Sequence, residues 1–178
     1  MQIKKSITSR RSIRVFQPDN IPSECIQRAV ETATYAPSWK NTQVPRYYAV
    51  SNPAIKEQIV ECLPKFNQSA VISAPLVMVC TVVKKRSGYN REGYFDTLKG
   101  TGWQMYDLGA SNMLFCLGAK EEGLGTVIMG YFDEGEIARI LEIPDTEEVS
   151  SIIAVGYPAE EPVMPKRKTV SSILKEII

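Results

Sequence analysis

Residues 103–122, WQMYDLGASNMLFCLGAKEE, form the longest helical pattern in the chain. Met105, Leu108, Met113, Leu114, Phe115, Cys116 and Leu117 cover more than one face, and the small residues Gly109, Ala110 and Ser111 sit in the middle. A helix that is apolar all round needs packing partners on both sides. In a chain of 178 residues, one of those partners can be a second subunit. Gly123 stands where a helix commonly ends on glycine.

Reading outward from this helix, Thr126–Met129 and Val149–Gly156 have the composition of strands. Between them Asp133 and Glu136 have the spacing of a capping box, opening a helix to about Leu141. Upstream, Leu76–Val83 is a nearly continuous β-branched and apolar run, the pattern of a buried strand. Arg46–Ser51 reads as a further strand. Asn52 suits an N-cap and Pro53 a first helical turn, starting a helix to about Leu63. A helix beginning near Pro22 carries Ile26, Ala29, Val30 and Ala33 at helical spacing and ends before Pro37. A short helix covers the start of the chain to about Ser9. The tail from Pro158 holds prolines, a basic cluster and a short apolar end, suited to lying along a partner surface. With no repeat or linker, the pattern predicts one domain, residues 1–178, of α/β or α+β class.

Composition narrows the chemistry. A net charge of +1 gives no global attraction to nucleic acid or an anionic membrane. The apolar runs, such as Pro75 to Val83, are too short to span a bilayer. The charged N-terminus lacks the apolar stretch of a signal peptide, which points to a cytoplasmic protein. Cys25, Cys62, Cys80 and Cys116 are widely spaced among apolar neighbours, so disulfides and a zinc site are not expected. The chain has no histidine. Ser-His-Asp triads, Cys-His pairs and His-ligated metals are therefore excluded, and any catalysis rests on something the chain binds.

Four stretches could carry that binding. Arg10-Arg11-Ser12-Ile13-Arg14 places three guanidinium groups and a hydroxyl within five residues. It suits an anion or phosphate site through forked, charge-assisted hydrogen bonds, or equally a solvated basic stretch between helices. Residues 36–43, APSWKNTQ, form a polar loop between a helix and a strand. Such loops gather binding residues, although Pro, Ser and Asn also make ordinary turns. Residues 123–131, GLGTVIMGY, leave a helix and enter a strand, which is not the dinucleotide fingerprint. Gly130 at the strand end would let a ligand approach the backbone. Pro165-Lys166-Arg167-Lys168 is a second basic cluster that could meet the first around one phosphate. Tyr89, Tyr94 and Phe95 lie in a polar loop, as an aromatic lid or as surface.

In this order, RRSIRVF (10–16), APSWKNTQ (36–43), GLGT (123–126) and AVGYP (154–158) resemble the nitroreductase family of FMN-dependent oxidoreductases, from about Ile7 to Lys168. The resemblance implies an α+β fold with a central, mostly antiparallel sheet flanked by helices. It also implies an intertwined homodimer with FMN at the subunit interface. It places Arg10, Arg11 and Ser12 at the flavin phosphate and Arg14 near the pyrimidine ring. It gives Pro37, Ser38 and Asn41 to the partner's flavin, and Asn67 to the ring. The Met129 and Gly130 backbone falls near N5, and Lys166 and Lys168 close on the phosphate.

The same resemblance implies electron transfer from NADH or NADPH through FMN to a small-molecule acceptor: a nitroaromatic, a quinone or an activated alkene. Reductive dehalogenation, oxygen-dependent flavin chemistry and non-catalytic flavin carriage are the alternatives it leaves. Two departures stand out. Val44-Pro45-Arg46 follows Gln43 where the family often has Gln-Pro-Trp. The region from Lys84 to Trp103 is compact where relatives often place substrate-covering helices.

Overall fold

The strand Leu76–Val83 (β2) reads as a nearly continuous apolar run because both its faces are covered. The computed structural model describes residues 3–177. In it, β2 pairs antiparallel with Pro45–Val50 (β1) on one side and Glu147–Gly156 (β4) on the other. Gly125–Met129 (β3) pairs antiparallel with β4, giving the order β1-β2-β4-β3. The class is therefore α+β.

Two apolar clusters lie on the two faces of the sheet. Val77, Val79, Ile152, Ala154, Val127 and Met129 pack with Ile59 of α3 (Pro53–Glu61), Val71 of α4 (Lys65–Ser73) and Ile137 of α6 (Glu134–Ile140). The alternate residues Met78, Cys80, Val82, Ile153 and Val155 pack with Ala29 and Ala33 of α2 (Ser23–Thr34) and with Leu108, Phe115 and Ala119 of α5 (Gly102–Glu121). The period-2 alternation of a strand thus feeds two cores at once. Helix α1 spans Ile3–Ser9, and α7 spans Val170–Ile173 in the tail.

Helix α4 was not expected from sequence. Its Ala70 and Val71 are buried while Phe66 and Ile72 are exposed, so its apolar residues follow no helical period. Pro64 precedes it, and Ala74, the residue before Pro75, turns extended and ends it.

The capping box forms by half. Asp133 accepts from the Glu136 N–H at 3.0 Å, but the Glu136 carboxylate turns to Arg139. The Asp133 N–H donates to the Cys62 carbonyl instead.

Helix α5 is not apolar all round. Its buried face carries Gln104, Asp107, Ser111 and Asn112 beside Leu108, Phe115 and Cys116. Met105 and Tyr106 face outward, the latter 68 % exposed. The small residue that allows close packing is Gly118, where a Cβ would meet Thr32 Cβ at 2.9 Å and Ala29 Cα at 3.0 Å. A Cβ at Gly109 would meet nothing within 4 Å. Gly118→Val is expected to force α2 away from α5 and to cost roughly 1–3 kcal/mol in urea denaturation.

Among the described residues, no helix is long and apolar enough to cross a membrane. The tail keeps Val163, Val170, Ile173 and Ile177 exposed, so this chain alone does not cover them.

Candidate functional site

The arginine segment is docked by its two apolar residues. Ile13 and Phe16 are each 6 % exposed, while Arg14 and Val15 between them turn outward. The Ile13 N–H donates to the Thr126 carbonyl at 3.0 Å, and the Gln17 N–H to the Tyr157 carbonyl at 2.9 Å. Two glycines make room. A Cβ at Gly125 would meet Ile13 Cγ1 at 2.6 Å, and one at Gly156 would meet Phe16 Cδ1 at 2.9 Å. Three separate motifs, RRSIRVF, GLGT and AVGYP, therefore act together. They bring an irregular segment down onto the sheet edge with its arginines free to point away.

Those arginines line a cleft. Arg10, Arg11, Ser12 and Arg14 share a space of about 320 Å³ with Pro162, Pro165 and Arg167. The two basic clusters at opposite ends of the chain do meet. The tail residue that lines the cleft is Arg167, itself exposed; Lys166 and Lys168 on either side of it do not line it. Alternation along an extended tail sets one residue of the run beside the cleft and its neighbours away from it, and sequence cannot choose which. Glu160 is also part of the arrangement, unforeseen from sequence. Its Oε1 accepts from the backbone N–H groups of Arg14 at 2.6 Å and Val15 at 3.2 Å, holding the segment's outer turn. No lysine or arginine makes a described ion pair with a carboxylate here. Arg11 Nη1 donates to the Thr8 and Arg10 carbonyls at 2.9 and 2.8 Å and Arg14 Nη1 to the Ser12 carbonyl at 3.4 Å, so part of each guanidinium is already engaged.

A second group gathers where α4 begins and β3 ends. The rings of Phe66 and Tyr131 stack at 6.2 Å and are 70 % and 69 % exposed. They flank Asn67 on one side and Met129-Gly130 on the other. Met129 is buried, Gly130 is exposed, and a Cβ there would meet nothing within 4 Å. Ser73, at the far end of α4, donates to the Arg14 carbonyl at 3.4 Å and links this group to the arginine segment.

The loop holding Pro37, Ser38 and Asn41 stands apart from both. Pro37 and Ser38 line a separate cavity of about 260 Å³ with Arg46, Tyr47, Asp107 and Ser111. Lys40, Asn41 and Gln43 all have positive φ, of 47°, 55° and 48°. Non-glycine residues held there cost of order 1–3 kcal/mol each unless the surroundings over-determine them. Part of that support is local: Ser38 Oγ accepts from the Gln43 N–H at 3.0 Å, and Asn41 Oδ1 from Gln43 Nε2 at 3.1 Å. The loop also contains two buried groups without a hydrogen-bond partner among the described residues, Trp39 Nε1 and Thr42 Oγ1.

The wall of this cavity is a buried polar chain. The Tyr47 hydroxyl lies 2.9 Å from Ser111 Oγ and donates to Asn112 Oδ1 at 3.0 Å, and Asn112 Nδ2 donates to Ser151 Oγ at 2.9 Å. Burial pushes the Tyr47 phenol well above its ordinary value. The folded protein thus holds this proton more tightly than the unfolded chain does. Tyr47 contributes stability that is whole below the unfolded phenol value of about 10 and is lost as pH rises beyond it. The fall in denaturation midpoint above about pH 10 should be shallower in Tyr47→Phe than in the parent.

Family comparison agrees with the segments that built these sites. Residues 7–157 match the nitroreductase family. The chain is 28% identical over 184 residues to an NADH dehydrogenase of Thermus thermophilus, covering 90% of this chain and 89% of that one. It is 25% identical over 191 residues to iodotyrosine deiodinase 1 of Sus scrofa, covering 94% of this chain and 66% of that one. A nitroreductase family protein from Streptococcus pneumoniae superposes with a TM-score of 0.89 at 19% identity, over 99% of this chain and 100% of that one. The match begins just ahead of the arginine segment and ends at Tyr157 beside the glycine that seats Phe16. The docked arginines, the glycines beneath them and the four-stranded sheet all fall within it, and the chain belongs to the nitroreductase family.

Proposed function

We propose that the chain is an NAD(P)H-dependent oxidoreductase that carries two electrons through bound FMN to a small organic acceptor. The observation that carries this reading is the cleft of Arg10, Arg11, Ser12, Arg14 and Arg167, whose donors suit a dianionic phosphate. When bound, FMN supplies the hydride chemistry. The chain's own residues bind and orient. The guanidiniums hold the phosphate end, and Arg14 extends positive charge from it toward the ring. Asn67 offers an amide, and the Gly130 backbone is open to close approach at the end of β3. Pro37, Ser38 and Asn41 stand away from the cleft, consistent with their serving the flavin of a second subunit in a homodimer. Electron acceptors of the nitroaromatic, quinone or activated-alkene classes suit this chemistry. The chain has no histidine to act as a proton donor, so the proton for the reduced product comes from solvent or from another group at the site.

Similarity to a deiodinase supports reductive dehalogenation as a second reading of the same flavin site. Absorption spectroscopy separates these. Flavin bands that bleach with NADPH or NADH and return with a quinone or nitrofurazone support the first reading. Bands that return with an iodophenol, with release of iodide, support the second. Protein that takes up no FMN removes both.

A further inference from the structure

The strained 38–43 loop is held from outside by one residue to which neither family membership nor the proposed site gives a role. Asp107 lies on the second turn of α5 and is 2 % exposed. Its Oδ2 accepts from the Trp39 backbone N–H at 3.0 Å and from the Ser87 hydroxyl at 2.5 Å. Ser87 is itself fully buried and lies near the start of the segment between β2 and α5. Among the described residues no lysine or arginine pairs with Asp107. A buried carboxylate held by two neutral donors is an expensive way to fill a core position, and a leucine would pack there without that cost.

The two segments that meet at Asp107 are joined again farther out. The Trp39 and Trp103 rings lie 4.6 Å apart. Trp103 Nε1 donates to Thr97 Oγ1 at 2.9 Å. The Lys40 ammonium pairs with the Asp96 carboxylate. Gly88, the residue after Ser87, has φ +84°, and a Cβ there would meet the Gly100 carbonyl at 2.6 Å. The segment is therefore folded closely on itself where it is tied. The polar anchor is central and buried, while the Lys40–Asp96 pair is half in solvent and adds little by itself.

We propose that Asp107 is a positioning residue. It fixes the Ser38–Gln43 loop, with its three residues of positive φ, and clamps it to the 87–103 segment, so that the two move as one unit. This rests on the proposed function for its consequence, since the loop carries Pro37, Ser38 and Asn41, but the clamp itself can be tested without flavin. The chain has two tryptophans, and both lie in the clamped contact.

The test uses full-length protein freed of FMN. Asp107→Ala should shift tryptophan emission to the red and raise acrylamide quenching, with the far-ultraviolet circular dichroism unchanged. Asp107→Asn, whose amide oxygen can still accept both hydrogen bonds, should restore most of the parent signal. Ser87→Ala, which removes one donor and leaves the carboxylate, should give a smaller change in the same direction and serves if Asp107→Ala does not fold. After FMN is added, Asp107→Ala should lose about 10²-fold in turnover, the scale set by ångström misplacement of a positioned group, and Asp107→Asn should recover it. Parent-like emission and quenching in both Asp107→Ala and Ser87→Ala would overturn the clamp. A red-shift without loss of turnover in protein that binds FMN would overturn the positioning role. If the parent binds no FMN, the proposed function fails, and the fluorescence result still decides the clamp.

Discussion

Replacing Arg10 and Arg11 together by alanine is expected to weaken FMN binding by roughly 10²–10⁴-fold, from the loss of two charge-assisted hydrogen bonds worth about 1.5–3 kcal/mol each. The expectation rests on where the segment sits. Ile13 and Phe16 anchor it, so the arginines can be removed without disturbing the docking, and the fold should survive. The loss should show as a raised Kd in a flavin fluorescence titration and should shrink as salt screens the parent's binding. Within the tail, Arg167→Ala should weaken binding more than Lys166→Ala or Lys168→Ala, because only Arg167 lines the cleft within one chain. If the double variant binds FMN as the parent does, the cleft is not the phosphate site. If the lysine variants prove the more damaging, the tail reaches the phosphate by a path that this chain alone does not take.

The largest effect on stability is expected at Phe115. Its side chain is fully buried on the inner face of α5, and its ring stacks on Tyr47 of β1 with centroids 5.5 Å apart. It therefore joins the longest helix to the edge strand through one contact. Phe115→Ala should cost about 3–5 kcal/mol from lost transfer energy and the cavity left behind. That is a fifth or more of the roughly 5–15 kcal/mol available to a folded domain. Phe66→Ala is the comparison. Phe66 is mostly exposed, so an effect within about 0.5 kcal/mol is expected, with any loss confined to ligand binding. Urea denaturation of the two variants checks this. Similar midpoints would mean that α5 does not pack on the sheet through Phe115.

The elements that could be read from sequence are those whose signal is local. The Asn52 cap forms as expected, with Oδ1 accepting from the Ala54 and Ile55 N–H groups at 3.0 and 3.2 Å. Gly123 ends α5 with φ +79°, and the nearly continuous run of β2 is buried on both faces. Each depends on residues next to one another in the chain. The arginine segment does not belong in this class: its residue types suit an anion site and a solvated stretch equally, and it is the docking of Ile13 and Phe16 that sets it beside Arg167.

Partnership across the chain was not legible. Asp107 reads as an ordinary polar residue within a helix until α5 is set against the Trp39 loop 68 residues away in sequence. Glu160 is one acid among several until it meets the Arg14 and Val15 amides. Helix α4 escaped notice because the sheet buries only Ala70 and Val71 firmly and leaves Phe66 and Ile72 outside. Most element types, the basic cluster and the exclusion of histidine chemistry follow from composition and short-range spacing, and needed no fold to be seen. Folding settled which basic residue of the tail enters the cleft, which glycine lets helices touch and which carboxylate holds the loop. Those choices are made by contacts between residues far apart in the chain, and no local pattern encodes them.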